Sequence, residues 1–118
     1  MNRHRSLPVW QAARGLVVEI YRLTRGLPQE ERLFVVVAQL RRAAWSVANN
    51  IAEGNARRGR GELRQFLNVA IGSLAEVDGM VDTLPDLYPL DEQNLAAIEV
   101  LRQEITRGLF GILRRNGR

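Results

Sequence analysis

The sequence predicts an all-α fold, an antiparallel up-down four-helix bundle. Three observations lead to it: apolar residues recur at steps of three and four in four long segments, proline or glycine separates the segments, and no segment alternates with period two. We expect helices at about 8–25, 28–53, 61–84 and 91–115. At 118 residues the chain suits one domain, 1–118, which is large enough to bury a core.

The first helix is predicted to begin at Pro8, because the fixed φ of proline suits the first turn. Its apolar face follows the steps of a helix through Trp10, Ala13, Val17, Ile20 and Thr24. Gly26 is expected to end the helix in the left-handed conformation, and Pro28 follows it.

The second helix is predicted to begin at Pro28, with Glu30 and Glu31 in a first turn whose dipole favours anions. Its heptad seam is Leu33, Val37, Leu40, Ala44, Val47 and Ile51. A second line lies about 100° round the helix and is mostly small or aromatic: Phe34, Ala38, Arg41, Trp45, Ala48 and Ala52. This line is either the margin of a wide core face or a subunit contact anchored by Trp45 and Phe34, because aromatic residues are enriched in interfaces.

The third helix is predicted to begin near Gly61 and to stop at Pro85, along the seam Leu63, Leu67, Ala70, Leu74, Val77, Val81 and Leu84. Gly72 and Gly79 are predicted to mark a close helix crossing, since each costs about 1 kcal/mol against alanine in a helix interior. Asp91 is the predicted N-cap of the fourth helix, whose seam is Leu95, Ile98, Leu101, Ile105, Leu109 and Ile112. The side chains expected to be buried are Trp10, Ile20, Leu40, Val47, Leu67, Leu74, Ile98 and Ile105.

Charge is unevenly distributed, and all 17 basic residues are arginine. Residues 1–64 hold 12 arginines and 5 acids, whereas residues 65–118 hold 5 arginines and 8 acids. Arginine suits bidentate contacts to phosphate, although its exclusive use is also typical of a GC-rich genome. The imbalance indicates an anionic partner, or self-association of opposite faces.

Residues 49–67 read NNIAEGNARRGRGELRQFL and interrupt the helical pattern. The part GNARRGRG mimics a phosphate-binding loop. Arg60 stands where that motif needs lysine, Gly61 stands where it needs the magnesium-binding hydroxyl, and a helix precedes it instead of a strand. The segment is therefore predicted to be a basic connection between two helices.

A cluster of arginines is the predicted nucleic-acid contact: Arg41, Arg42, Arg57, Arg58, Arg60 and Arg64. We expect contacts to backbone phosphates, because no aromatic residue is interleaved between 57 and 64 for stacking on bases. The alternative is a solvated basic surface with internal pairs to Glu53, Glu62 and Glu76. Arg41 or Arg42 is expected to pair with Glu76, or with Glu53 in its place, because a buried charge needs a partner.

No catalytic residue, metal site or cofactor is predicted. The chain has no cysteine, and its single histidine, His4, is close to the N-terminus, so the Glu-x-x-His pairs of di-iron bundles and the usual nucleophile–base pairs are missing. A hydrolase that uses Glu53, Glu62 or Glu76 is the remaining enzymatic alternative. The lack of cysteine fits a cytoplasmic location, and no apolar run reaches the ~20 residues of a membrane span.

Two stretches carry a resemblance to a known family: VWQAARGLVVEIYRLT, and QLRRAAWSVANNIAEGNARRGRGELRQFLNVAIGSLAEV. The chain resembles the four-helix bundle proteins encoded within intervening sequences of bacterial 23S ribosomal RNA genes. The most specific pieces are residues 39–43, residues 50–54, Phe66-Leu67, Gly72-Ser73 and Glu76. The resemblance implies an antiparallel bundle, a homopentameric ring and no established enzymatic activity.

Relatives of that family include the accessory proteins of diversity-generating retroelements. For them the resemblance implies binding of nucleic acid and of a reverse transcriptase. Genes of the family also occur outside ribosomal RNA operons, so ribosomal RNA is not implied as the target. Residues and resemblance together predict a non-enzymatic oligomeric bundle that binds RNA or DNA through its arginines. The alternative is a protein–protein adaptor whose arginines serve subunit contacts.

Overall fold

The computed structural model of the protein describes residues 3–116, and this part of the chain contains helices and no strand. A short 3-10 helix, Arg3–Ser6, precedes α1 (Pro8–Arg25), α2 (Glu31–Asn55) and α3 (Arg60–Thr83). A second short 3-10 helix, Leu84–Asp86, leads to α4 (Glu92–Asn116). The predicted all-α fold with four long helices is confirmed.

Neighbouring helices are antiparallel, since along each pair the residue numbers rise on one helix and fall on the other. The contacts that show this are Thr24 with Arg41 and Tyr21 with Trp45; Ser46 with Ser73 and Gln39 with Glu76; Asp78 with Arg102 and Arg64 with Asn116; and Glu19 with Asn94 and Val9 with Gly108. Helix α1 packs on α2 and α4, and α3 packs on the same two helices. The result is an elongated bundle of 45 × 25 × 25 Å.

The core lies along the predicted seams. Of the side chains expected to be buried, Ile20, Leu40, Val47, Leu67, Leu74, Ile98 and Ile105 are buried. Trp10 is only half-buried, which corrects the prediction. It lies in the first turn of α1, at the end of the bundle, where its ring packs edge-on against His4 with centroids 4.7 Å apart.

Helix α2 begins three residues later than predicted, at Glu31. Leu27 is buried in the core, and the chain then crosses from α1 to α2 outside any helix, with Glu30 in an extended conformation (φ −110°, ψ 141°). Pro28 is therefore part of the connection and not the first residue of α2. The burial of Leu27 in the core determines where the connection turns and therefore where α2 begins. The spacing of apolar residues within α2 could not predict this contact, because Leu27 lies outside the helix.

The beginning of α4 agrees with the predicted cap. The Asp91 carboxylate accepts hydrogen bonds from the backbone N–H groups of Gln93 (2.9 Å) and Asn94 (3.1 Å). These donors have no partner within the helix, which is why an aspartate before the first turn stabilises a helix end. The end of α3 also lies close to its predicted position, with Pro85 in the short 3-10 helix.

Three glycine predictions are wrong. Gly26 ends α1 with a right-handed φ of −79°, and not in the left-handed conformation. Gly72 and Gly79 are exposed, and no described atom lies within 4 Å of the position that a Cβ would take at either. The close crossing is instead at Gly108 on α4, where a Cβ would come within 2.6 Å of Val9 Cγ2. Helices α1 and α4 approach each other there, at a glycine that the pattern did not single out.

Candidate functional site

The antiparallel order of the four helices separates the charges into two ends. Segments 3–7, 53–64 and 112–116 meet at one end, here called the basic end, and contain eight arginines and two glutamates. Segments 22–32 and 78–94 form the opposite end and contain three arginines and seven acids. The overall charge of +4 therefore hides a local balance of +6 at the basic end.

A cleft of about 330 Å³ opens at the basic end, between the α2–α3 connection and the last turn of α4. Its arginines are Arg57, Arg58, Arg60 and Arg115, and we call it the arginine cleft. Its apolar lining is Leu7, Ile51, Leu63, Leu67 and Ile112, and the described lining residues include no acid. The sequence pattern did not place Arg115 beside the connection. The fold does so, because α4 ends where α3 begins.

Arg57 is held by three neighbours. Its Nη2 donates to Glu53 Oε2 at 3.0 Å, its Nε lies 4.0 Å from Glu62 Oε2, and its guanidinium carbon stands 4.9 Å above the ring of Phe66. The side chains of this ion pair are roughly half exposed, so it stabilises the fold by less than about 1 kcal/mol. Its main effect is to orient Arg57 beside the cleft. The internal pairs of the basic surface with Glu53 and Glu62, expected as the alternative, are thus formed by Arg57, whereas Glu53 does not pair with Arg41 or Arg42.

The remaining arginines of the basic end differ in how they are held. Arg64 donates to the backbone oxygen of Asn116 at 3.2 Å and so ties α3 to the end of α4. Arg58 and Arg115 are exposed and form no ion pair with any residue from 3 to 116. The charges of Arg58 and Arg115 are therefore compensated chiefly by solvent, which leaves these two side chains available to an anionic ligand.

Arg41 and Arg42 lie away from the basic end, which corrects the prediction of one six-arginine cluster. Arg57 is fifteen positions after Arg42 and lies just beyond the end of α2. Fifteen positions at the rise of a helix correspond to about 22 Å. Arg41 is half-buried against α1, where its Nε donates to Thr24 Oγ1 at 2.9 Å and its guanidinium stands 4.3 Å above the Tyr21 ring. These contacts hold Arg41 within the subunit.

The predicted ion pair between Arg41 or Arg42 and Glu76 is not formed within residues 3–116. Gln39 donates to Glu76 at 3.3 Å instead. Arg41 is satisfied by Thr24 on the other side of α2. Arg42 lines the same groove as Glu76 but is exposed, and a hydrated guanidinium needs no carboxylate partner.

Two members of the second line on α2, Phe34 and Trp45, are exposed, whereas Ala48 of the same line is buried in the core. With the half-buried Tyr21 of α1, these two side chains are here called the aromatic face. Phe34 is 73% exposed and Trp45 is 48% exposed, and the Trp45 ring nitrogen donates to the Tyr21 hydroxyl at 3.0 Å. Grooves of about 400 and 500 Å³ lie on the two sides of Phe34. Ring surface this exposed is typical of a contact with another protein surface.

An ionic network between α3 and α4 was not predicted. Arg102 is 15% exposed and lies 2.6 Å from Asp78, 3.0 Å from Asp82 and 3.3 Å from Glu99. The closest contact is electrostatic, since Asp78 Oδ1 accepts no hydrogen bond from residues 3–116. The available signal was the helical spacing of Asp78 with Asp82 and of Glu99 with Arg102, two charged pairs on adjacent helices.

Burial and charge have opposite effects within this network. Burial raises the pKa of Asp78 above its ordinary value, and this outweighs the lowering by Arg102. Burial lowers the pKa of Arg102, but its hydrogen bond to Asp82 and the charges of Asp78, Asp82 and Glu99 outweigh burial and raise it. Arg102 therefore stays charged at all ordinary pH values, while Asp78 is ionised at a cost.

The described part of the chain contains neither a metal-binding cluster nor a membrane-spanning helix. Between residues 3 and 116, no three histidine, cysteine, aspartate or glutamate side chains are placed to hold one metal ion. None of the helices in this range combines the length and apolar character needed to cross a membrane. Asp78, Asp82 and Glu99 instead surround the guanidinium of Arg102.

Fold and surface together define a class of protein: a small four-helix bundle with a basic end, an acidic end and an exposed aromatic face. The family model of the 23S rRNA-intervening sequence protein matches residues 5–111. The chain therefore belongs to the 23S rRNA-intervening sequence protein family, and the resemblance found in the sequence is confirmed. No curated protein matches the chain.

Proposed function

We propose that the protein is a non-enzymatic, cytoplasmic homopentamer that binds the phosphate backbone of RNA or DNA through its basic end. The observation that carries the proposal is the gathering of eight arginines against two glutamates where segments 3–7 and 112–116 meet the α2–α3 connection. Arginine pairs with phosphate in a bidentate manner, so such a surface suits a polyanion better than a single carboxylate partner.

A ring would strengthen this surface without any new residue. In a cyclic assembly every subunit has the same orientation relative to the axis, so all the basic ends lie at one rim. The aromatic face is on the side of the bundle and leaves both ends free, which suits side-by-side contacts. The charge of one basic end, +6 within segments 3–7, 53–64 and 112–116, would then repeat around the rim.

Replacing Trp45 with arginine is expected to break the ring into smaller species. The substitution puts a charge into an apolar contact without a partner, and burying such a charge is costly. Light scattering at micromolar concentration measures the outcome. Leu87→Arg is the control, because Leu87 is 65% exposed at the acidic end and away from the aromatic face. A monomer in the unmodified protein would refute the ring.

Replacing Arg57, Arg58 and Arg60 together with alanine is expected to weaken nucleic-acid binding and flatten its salt dependence. If each arginine neutralises one phosphate, the logarithmic salt slope should fall by about 2.7 on duplex DNA and by about 2.1 on single strands. Titrations of labelled RNA and DNA over a range of salt concentrations measure it. A matched variant, Arg22, Arg25 and Arg107 to alanine, removes the same charge elsewhere and should retain the slope.

Two outcomes of these titrations would contradict the proposal. The first is that the unmodified protein binds neither RNA nor DNA at ~50 mM salt, where electrostatic binding is strong. The second is that the Arg57, Arg58 and Arg60 variant binds as tightly as the unmodified protein, which would place the contact surface away from the cleft.

A protein–protein adaptor is the second candidate function, and the exposure of Phe34 favours it. If the gene lies in a retroelement, a reverse transcriptase is the partner that the resemblance implies.

A further inference from the structure

The arginine cleft has a feature that backbone binding does not require, namely an apolar recess behind its arginines. The half-buried Leu7, Leu63 and Ile112 provide its accessible apolar surface, and Ile51 and Leu67, each 1% exposed, close it off from the core beneath. A volume of about 330 Å³ is at the lower end of the range for small-molecule sites. A surface that only follows a phosphate backbone can be shallow and polar throughout.

The positive charge of the cleft also exceeds what one backbone phosphate neutralises. Arg57 is paired with Glu53 and Glu62, whereas Arg58 and Arg115 line the cleft without an ion pair to any residue from 3 to 116. An internal phosphodiester has one negative charge, whereas a terminal phosphate monoester has about 1.5 to 2 and offers three strong acceptor oxygens. A cluster of guanidinium groups around a small volume therefore discriminates in favour of the monoester, because both charge and hydrogen-bonding capacity are matched.

We propose that the arginine cleft binds a nucleotide with a terminal phosphate monoester, with the phosphate on Arg58 and Arg115 and the base or sugar against the apolar lining. The inference deepens the proposed function, on which it rests for the choice of nucleic acid as the ligand class. The nucleotide has two possible sources. One is the 5′-phosphorylated end of a strand whose backbone runs over the basic end, and the other is a free nucleotide.

The position of Arg58 distinguishes binding from a structural role. Arg58 lies just before the first turn of α3, where the helix dipole disfavours positive charge. Its replacement is therefore expected to leave the melting temperature unchanged or to raise it. A ligand that binds only the folded state stabilises it by RT ln(1 + L/Kd), where L is the ligand concentration, so the melting temperature rises with the ligand concentration. Arg58→Gln should lose this ligand response without losing stability.

The test uses labelled RNA and DNA strands of about 12 nucleotides, a length that fits single-strand binding sites. Each strand is prepared with a 5′-phosphate and with a 5′-hydroxyl. We expect the phosphorylated strand to bind at least about tenfold more tightly, which is about 1.4 kcal/mol. The double variant Arg58→Gln, Arg115→Gln should erase that preference. Arg107→Gln, a change at an exposed arginine of α4 outside the cleft, should keep it.

Adenosine monophosphate separates the two sources in the same experiment. A rise in melting temperature with this nucleotide, lost in the double variant, supports binding of free nucleotides. Equal binding of the two strand forms with no response to the nucleotide overturns the cleft proposal and leaves backbone binding standing. A nucleotide response without binding of any strand supports the cleft and overturns backbone binding. Binding of neither strands nor nucleotide overturns both.

Discussion

Replacing Gly108 with valine is expected to lower the free energy of unfolding by about 3 kcal/mol, because overpacked core positions force backbone shifts. A Cβ at this position would lie 2.6 Å from Val9 Cγ2 and 2.7 Å from Val9 Cβ. Rotation of the Val9 side chain can move Cγ2 but cannot move Cβ. The helices α1 and α4 themselves would have to separate, so the neighbouring core contacts would also loosen.

Gly72→Ala and Gly79→Ala are the matched controls. Both glycines are in the interior of α3, and neither would bring a Cβ within 4 Å of a described atom. Alanine is favoured over glycine in a helix interior by about 1 kcal/mol, so each change should stabilise the protein. Urea unfolding followed by circular dichroism measures all three variants. If Gly72→Ala lowered the free energy of unfolding as much as Gly108→Val, the prediction would be contradicted, and the surface around Gly72 would have to be covered.

The opposite roles of these glycines show which part of the fold the sequence can predict. The apolar seams through Leu40, Val47 and Ile98 depend on steps of three and four within one helix, so they are readable from the chain alone. Whether Gly72 or Gly108 faces another helix depends on the rotation and crossing angle of two helices. Each glycine has the same low helix propensity, and nothing in its own segment distinguishes a close approach from an open surface.

The candidate site was predictable to the extent that it is local in sequence. Arg57, Arg58 and Arg60 are neighbours in the chain, and all lie at the arginine cleft. Arg42 was grouped with them because it is near in sequence, yet the rise of a helix puts it about 22 Å away. Arg115 lies far along the chain and reaches the cleft only because antiparallel helices return the C-terminal turn of α4 to the α2–α3 connection.

Replacing Arg102 with methionine is expected to destabilise the protein by about 2 kcal/mol at pH 7. Removing one partner of a fully buried ion pair costs about 3 to 5 kcal/mol. Arg102 is well buried, but its partners Asp82 and Glu99 are more than half exposed, so solvent reduces the penalty. Methionine keeps much of the apolar stem and removes the charge. Arg107→Met is the control, and as an exposed change it should remain within about 0.5 kcal/mol.

The pH dependence of the destabilisation in Arg102→Met identifies its cause. In the unmodified protein burial raises the pKa of Asp78 above its ordinary 3.8, so the folded state holds this proton more tightly than the unfolded state. Stability from Asp78 is therefore present below pH 3.8 and is lost as the pH rises through the raised pKa. Arg102 lowers the pKa of Asp78, so removing Arg102 should let that pKa rise further. The pH range over which this stability is lost then extends to higher pH.

We therefore expect Arg102→Met to approach the unmodified protein in stability as the pH falls towards about 4, the ordinary range of carboxyl pKa values. Protonation of Asp78, whose pKa burial raises, removes the buried negative charge that lost its guanidinium. Asp78→Asn should behave differently: it removes a charge that is ionised at a cost, and Arg102 keeps Asp82 and Glu99, so the change at pH 7 should stay within about 1 kcal/mol. Urea unfolding at several pH values compares the variants. A loss in Arg102→Met that is equal at pH 7 and pH 4 would attribute it to packing and not to charge.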